Sequence, residues 1–288
     1  MIKTVFIGNR PKVLEALQKH PSIDLVKSFV IEGSLIKKEK DLSIDIIAAK
    51  GHKQQLVDFL IKGEYKLCVS AGCPYVIKAS LIHKEKILIN CHPSVLPFGK
   101  GMHPLNECFL SLHQTFGVTV HYLIDELDAG DIIEQVSFPI TDDMDVSLLY
   151  GVIFDVEAEL LIQSVNKLIY SNFNYVGTPQ IGSGTYFSRT LEQSKLYADQ
   201  LSCDVFIKNV RAYSSRNLGV YLITDDDEYL VYSAKKIINP FFLSRFDKFP
   251  PGSTCIKTKD VVLVKLIDGL ARLDSWCNPI PTLHNKSL

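Results

Sequence analysis

The sequence predicts an α/β fold: a mostly parallel, twisted sheet covered by helices on both faces, followed by a smaller antiparallel β domain. Three observations predict it. Between Thr4 and Tyr170, short apolar runs alternate with amphipathic stretches across short connections, the pattern of parallel strands joined by crossover helices. Glycine and proline punctuate the ends of the apolar runs, at Gly8, at Gly72 and after Ile89. From Ser202 the pattern changes to closely spaced β-rich runs with hairpin signals. Residues 1–200 therefore read as one domain with a connecting segment, and 201–288 as a second.

Taken in order, Thr4 to Ile7 is a buried strand. The turn Gly8-Asn9-Arg10-Pro11 leads into a helix with Val13, Leu14 and Leu17 on one face. A strand ending in glycine and opening a helix suits an anion at the helix N-terminus. Arg10 and Lys12 thus read either as a solvated helix start or as contacts to a substrate phosphate. Leu25 to Ile31 and Ile44 to Ala48 are strands, and the charged stretch Lys37 to Asp41 between them is a surface loop. Gln54 to Ile61 is helical. Leu67 to Val69 is a strand, closed by the turn Ser70 to Tyr75. Ala79 to Leu81 is a short helical turn before the strand Ile87 to Ile89. Val118 to Ile124 is a further strand. Ser147 to Tyr170 is a long helix whose core-facing stripe is Leu148, Leu149, Val152, Ile153, Val156, Leu160 and Leu161. Asn172 to Leu201 is a connection. Val205 to Tyr213 is open between helix and strand. Gly219 to Thr224 and Tyr229 to Ser233 flank an acidic hairpin turn. Ser253 to Lys257, Val261 to Leu266 and Leu270 to Leu273 complete a small antiparallel barrel, with Asp268-Gly269 as a tight turn.

The chain has 288 residues, 47% hydrophobic and 22% charged, with a net charge of -1. No global basic field points to nucleic acid. No apolar run approaches the ~18 residues of a membrane span. The start MIKTVFIG runs straight into a strand and does not read as a targeting segment. Seven cysteines without paired spacing suggest reduced thiols in a cytoplasm.

The most informative stretch is Ile89 to Gln135. Asn90 and His92 stand two apart at a strand's carboxyl end, so they project from one face while Cys91 points away. Open α/β sheets place their ligands at that edge. Pro93, Pro97, Gly99, Gly101 and Pro104 exclude regular structure and force a shaped loop. Asp128 follows beside Gly130. An amide, an imidazole and a carboxylate each sit just beyond a strand.

The motifs Asn90-Cys91-His92-Pro93-Ser94-Val95-Leu96-Pro97, Gly101-Met102-His103-Pro104, Gly117-Val118-Thr119-Val120-His121 and Asp128-Ala129-Gly130-Asp131-Ile132-Ile133-Glu134-Gln135 resemble the formyltetrahydrofolate-dependent formyltransferases. The resemblance spans about 45 residues without a major break and extends more weakly over residues 1 to about 190. It implies a Rossmann-like catalytic domain. The runs Val210-Arg211-Ala212, Pro251-Gly252-Ser253-Thr254 and Asp268 to Leu273 resemble the C-terminal, OB-like domain of methionyl-tRNA and aminoarabinose formyltransferases.

The same resemblance implies the chemistry. 10-Formyltetrahydrofolate would be the cosubstrate, with no metal. An amine attacks the formyl carbon, charge develops on the formyl oxygen, and a proton must leave the new ammonium. Asn90 would donate to that oxygen. His92 would be either an oxyanion donor or the group that handles the proton. Asp128 would orient His92, favour its protonated form and help relay the proton. Gly72, Cys73, Pro74, Tyr75 and Ile77 would line the folate slot, where small residues admit a flat pterin. For the acceptor, the candidates are Arg10, Lys12, Lys100, Gly101, His103, Tyr186 and Arg189. The last two belong to Gly184 to Thr190, which resembles a segment that approaches the site in sugar-modifying members. Tyr75, Tyr122 or Tyr186 could stack on a base. His121, sharing a strand face with Thr119, would serve the sheet or support the site. Neighbouring strand residues face opposite sides, which argues against Cys91 as a thiol nucleophile.

Methionyl-tRNA members usually continue the Gly-Val-Thr strand with Met, whereas this chain has His121. Residues 201–288 hold 12 Lys and Arg against 9 Asp and Glu, a net of +3, which is not a polyanion-binding surface. The expected acceptor is therefore a nucleotide-linked amino sugar, dTDP- or UDP-linked, of the kind that enters lipopolysaccharide O-antigen. Methionyl-tRNA formyltransferase and then formyltetrahydrofolate hydrolase are the alternatives. A cytoplasmic enzyme that does not engage membrane is expected, and a homodimer is compatible with the resemblance.

Overall fold

The computed structural model describes residues 1–33, 36, 44–47, 53–215 and 218–279. The expected loop Lys37 to Asp41 and the strand end Ala48 lie outside the described residues. The chain groups into two compact units. Met1–Pro104, Thr115–Pro139 and Tyr150–Ser188 form the first; Leu105–Gln114, Ile140–Leu149 and Arg189–Leu288 form the second.

The first unit is built on strands β1 (Ile2–Gly8), β2 (Ile23–Ile31), β3 (Ile44–Ile47), β4 (Leu67–Ala71), β5 (Ile87–His92), β6 (Thr115–Tyr122) and β7 (Ile132–Pro139). They lie in the order β3-β2-β1-β4-β5-β6-β7. β3 to β5 run parallel, and β6 and β7 are antiparallel additions. The parallel strands are continuous apolar runs because both faces are covered. Val5, Ile7, Phe29, Cys68 and Leu88 pack with Leu56 and Leu60 of helix α2 (Lys53–Lys62) into one core cluster. Helix α1 (Pro11–Lys19) buries Val13, Leu14 and Leu17 as its spacing predicts. β4 runs on to Ala71, so Ser70 and Ala71 belong to the strand and not to the turn. β7 escaped the sequence reading because it ends the strand order and its residues are mostly part-exposed or exposed, which dilutes the apolar pattern. Pro104, read as a loop breaker, is instead the first residue of helix α3 (Pro104–Leu110), where a proline lacks only a hydrogen bond that no helix would make there.

Helix α4 (Val146–Tyr170) carries a narrower buried stripe than expected. Leu149, Ile153, Leu160 and Leu161 are buried, but Leu148 and Val152 are exposed. The buried line runs Val146, Leu149, Ile153, Glu157, Leu160, Ser164 and Leu168, at three- and four-residue steps. Hydrophobicity alone selects Leu149, Ile153 and Leu160 on that line together with residues to one side of it, and misses the two polar ones on it.

The second unit holds β8 (Lys195–Tyr197), α5 (Cys203–Tyr213), β9 (Val220–Ile223), β10 (Glu228–Lys236), α6 (Pro240–Arg245), β11 (Thr254–Lys257), β12 (Val262–Leu266) and β13 (Gly269–Cys277). Its strand order is β11-β12-β13-β10-β9-β8, antiparallel except for β8 with β9. The hairpin at Asp225 to Asp227 and the turn at Asp268-Gly269 are present. The pairings define a mostly antiparallel sheet, and among the described residues none joins β11 to β8. The grouping also differs from a division at 200 and 201. β8 lies before that point yet pairs with β9. Asn106 donates to the carbonyl of Ala212 at 2.7 Å, and Arg211 donates to the carbonyl of Met144 at 2.6 Å, which ties two earlier segments to α5. No helix among the described residues is long and apolar enough to cross a membrane. All seven cysteines are described, and none is in a disulfide.

Candidate active site

Asn90, Cys91 and His92 are the last three residues of β5, rather than residues just beyond it. The antiparallel register with β6 sets Asn90 opposite His121 and His92 opposite Thr119. All four polar side chains are buried. Cys91 faces the other way, its Sγ donating to the carbonyl of Glu157 at 3.5 Å. Burial pushes the Cys91 thiol well above its ordinary 9.0, which disfavours a thiolate there.

The ring nitrogens can be assigned from their partners, because a carbonyl only accepts. His92 Nε2 lies 2.8 Å from the Gly99 carbonyl, so in the neutral ring the proton sits on Nε2 and the lone pair on Nδ1. Nδ1 lies 3.8 Å from Asp128 Oδ2, outside direct hydrogen-bond range but within reach of its charge. His121 Nδ1 lies 2.9 Å from the Tyr122 carbonyl, so its Nε2 is free to accept from Asn90 Nδ2 at 3.2 Å. The second Asn90 N–H reaches Asp128 Oδ1 only at 3.4 Å. Asp128 sits in the left-handed region with φ 50°, a conformation that aspartate tolerates better than most residues. The Gly101 N–H donates to its Oδ2 at 2.9 Å. Gln180 donates to the carbonyls of Asp128 at 3.0 Å and Gly130 at 2.9 Å, clamping the turn that carries the carboxylate.

Burial lowers the His92 ring below its ordinary 6.5, outweighing the Asp128 carboxylate and the Gly99 carbonyl, which act to raise it. Asp128 does bias His92 toward protonation as expected, but the carboxylate only moderates a larger desolvation effect. Burial would raise Asp128 as well. The His92 charge, the His121 ring and the Gly101 N–H outweigh it and hold that carboxyl down at about 2. At neutral pH the pair is a neutral imidazole with a basic Nδ1 beside a carboxylate. An NMR titration of the His92 ring in the unliganded protein is expected to give a midpoint below 6.5. A midpoint at or above 6.5 would mean that the carboxylate prevails over burial.

The remaining motif residues hold the loop after β5. Thr119 Oγ1 donates to the Ser94 carbonyl at 2.7 Å and accepts from the Leu96 N–H at 3.2 Å. Gln135 Nε2 donates to the Leu96 carbonyl at 2.9 Å and to Thr119 Oγ1 at 2.8 Å. The Leu96–Pro97 bond within that loop is cis.

The other candidates divide. Arg10 Nε donates to the fully buried Glu157 Oε2 at 2.9 Å, another of its nitrogens donates to Asn9, and its guanidinium stacks 4.3 Å from the Phe154 ring centroid. It is committed within the protein, which removes the main ground for a phosphate contact. Lys12 pairs with Asp155 at 3.2 Å on the surface. Gly72 has φ 68°, and a β-carbon there would lie 2.1 Å from Asn9 Oδ1. Its smallness is used against that side chain. Ile77 is 5% exposed within the core cluster. Cys73 and Tyr75 pack partly buried against the same cluster, and Pro74 is exposed. Lys100 is buried, with Nζ 5.2 Å from the Tyr186 ring, whose hydroxyl donates to Glu126 at 3.3 Å. Gly101 bonds Asp128 directly, and His103 is half-buried beside it. Arg189 falls in the second unit. The Tyr122 hydroxyl is taken up by the Tyr175 carbonyl. Sequence reasoning gave His121 only a supporting role and did not single out Thr185 or Gln180. Among the described residues no group of three or more His, Cys, Asp and Glu is placed to hold a metal ion.

A parallel α/β sheet with polar side chains converging at the carboxyl end of a central strand places the protein among the α/β proteins whose ligand crevice lies at that edge. Residues 7–165 match the family described as Formyl transferase, and the chain belongs to that family. Methionyl-tRNA formyltransferase of Listeria monocytogenes is 32% identical over 140 residues, which cover 48% of this chain and 44% of that protein. The chain thus matches less than half the length of that relative. The Streptococcus equi subsp. zooepidemicus enzyme of the same name is 22% identical over 254 residues, covering 82% of this chain and 80% of that one. Among solved structures, WlaRD, a sugar 3N-formyl transferase crystallised in the presence of dTDP and 5-N-formyl-THF, shares the fold. Its TM-score is 0.71 at 19% identity, over 97% of this chain and 99% of that one.

Proposed function

We propose that the protein is an N-formyltransferase that moves the formyl group of 10-formyltetrahydrofolate to the amine of a nucleotide-linked amino sugar. The observation that carries the reading is the convergence of Asn90, His92 and Asp128 from two motifs that lie 36 residues apart between His92 and Asp128. Formyl transfer needs an N–H donor where oxygen charge develops, a base for the amine's proton, and a carboxylate to stabilise the protonated base. Asn90 has one N–H only loosely held. His92 Nδ1 carries a lone pair, and Asp128 is ionised beside it. Tetrahydrofolic acid bound to HypX from Aquifex aeolicus, which shares the fold at TM-score 0.65 and 16% identity, supports a folate donor.

For the acceptor, His121 in place of methionine and the near-neutral residues 201–288 favour a sugar nucleotide, and the nearly full-length likeness to WlaRD agrees with that choice. Among the described residues Lys100 is a cation placed to meet a phosphate, since its neighbour Gly101 bonds Asp128. The sequence relatives favour a second reading, methionyl-tRNA. Mass spectrometry after incubation with formyl donor and, separately, dTDP- and UDP-amino sugars or initiator methionyl-tRNA separates the two. A formylated sugar nucleotide is expected. Formyl-methionyl-tRNA alone would replace the acceptor, and donor hydrolysis without any acceptor would remove the transfer reading.

A further inference from the structure

Residues Gly184 to Phe187 grip the loop Pro97 to Gly101. The Thr185 N–H donates to the Pro97 carbonyl at 3.2 Å, and the Phe187 N–H donates to the Lys100 carbonyl at 3.0 Å. The Gly99 N–H donates to Thr185 Oγ1 at 2.8 Å, and the Lys100 N–H donates to the Thr185 carbonyl at 2.9 Å. Gly184 makes the approach possible: its φ is 68°, and a β-carbon there would lie 1.9 Å from the Pro97 carbonyl oxygen.

One peptide unit in this grip has a consequence for the site. The Gly99 carbonyl and the Lys100 N–H belong to the same trans-planar group, so they point in opposite directions. On one side the N–H gives its proton to Thr185. On the other, the carbonyl accepts from His92 Nε2 at 2.8 Å. Hydrogen bonds chained through one peptide polarise it and strengthen each other. The neutral His92 ring has one proton: the Gly99 carbonyl lies in hydrogen-bond range of Nε2 at 2.8 Å, and the charged Asp128 carboxylate lies 3.8 Å from Nδ1, beyond a direct bond in this arrangement. A charged acceptor would draw the proton to Nδ1 if the Gly99 carbonyl drifted. The tautomer therefore depends on how firmly that peptide is held.

We infer that Thr185 is a positioning residue that sets the tautomer of His92: through its hydroxyl on Gly99 and its carbonyl on Lys100, it keeps the ring proton on Nε2 and the lone pair on Nδ1. The kinetic consequence rests on the formyl-transfer reading; the tautomer does not.

The test uses the full chain with nitrogen-15 histidine, observed above pH 7.5 where the His92 ring is neutral. Wild type is expected to show Nε2–H. Thr185→Val keeps the shape and removes the hydroxyl, and a rise in the Nδ1–H form is expected. Thr185→Ala deletes the same group should the valine variant not fold. Thr185→Ser is expected to restore the wild-type spectrum. In turnover, Thr185→Val should lose about 10-fold in kcat with KM values unchanged, because the wrong tautomer disables a base without disturbing binding. An unchanged Nε2–H signal in the hydroxyl-deleted variants overturns the inference whatever the activity. A wild type that forms no formylated product removes the transfer reading, and the spectra still decide the role of Thr185.

Discussion

Replacing His92 with alanine is expected to lower kcat for formyl transfer by about 100- to 10,000-fold, the range for losing a positioned proton acceptor. KM for the folate donor should change by less than about 3-fold, because the lost interaction forms mainly as the proton moves. The argument starts from the ring's environment. Its Nε2 is occupied by the Gly99 carbonyl, so only Nδ1 can take a proton. Burial keeps the ring neutral near pH 7 and therefore available as a base. When the amine's proton arrives, Asp128 lies 3.8 Å away as an ionised carboxylate and offsets the new positive charge. Water entering the space left by alanine has no such preset orientation. Asn90→Ala should lose about 100-fold through the developing oxyanion. The double variant should fall little below His92→Ala, since groups acting in one transition state are not additive. Steady-state kinetics with the acceptor identified by the product assay decides it. A His92→Ala enzyme with wild-type kcat would end the assignment of His92 as base.

Much of this site could be read before any coordinates. Two polar residues two apart on a strand share a face, and Asn90 and His92 do. The same alternation turned Cys91 toward α4. Local periodicity reached no further. His121 stands beside Asn90 because of the β5–β6 register, which is a property of two strands and not of either alone. Thr185 bonds a loop 86 residues earlier through its hydroxyl as well as its backbone, and no local pattern joins the two segments. Arg10 misled for the opposite reason. A strand, a glycine, an arginine and a helix start form a local picture of an anion site, while the group that occupies the arginine lies 147 residues away. Glu157 was overlooked because it interrupts an apolar helix stripe by a single residue. The parallel half of the fold was legible from continuous apolar runs, and β7 was not, because exposure makes its pattern polar.

Removing the Arg10 side chain, as Arg10→Met, is expected to destabilise the protein by about 3–5 kcal/mol at pH 8, the usual result of stranding one partner of a buried ion pair. Glu157 is fully buried, and its Oε1 has no hydrogen-bond partner among the described residues, so Arg10 Nε at 2.9 Å on Oε2 is the main counterweight. Burial raises the carboxyl from its ordinary 4.5 to about 7, with Arg10 acting against the rise. A carboxyl raised in the fold binds its proton more tightly there than in the unfolded chain. Its contribution is therefore fully present below pH 4.5 and is lost as pH rises through about 7, a change of about 3 kcal/mol. Without Arg10 the carboxyl should rise further and stay protonated to higher pH. The deficit of Arg10→Met should consequently be much smaller at pH 5.5 than at pH 8, because a neutral buried carboxyl needs no cation. Glu157→Gln should flatten the wild type's pH dependence over the same window, and adding it to Arg10→Met should recover most of the loss at pH 8. Urea unfolding of the four proteins at the two pH values measures all of this. Equal destabilisation by Arg10→Met at pH 5.5 and pH 8 would show that lost packing against Phe154, and not the stranded charge, is what the arginine supplies.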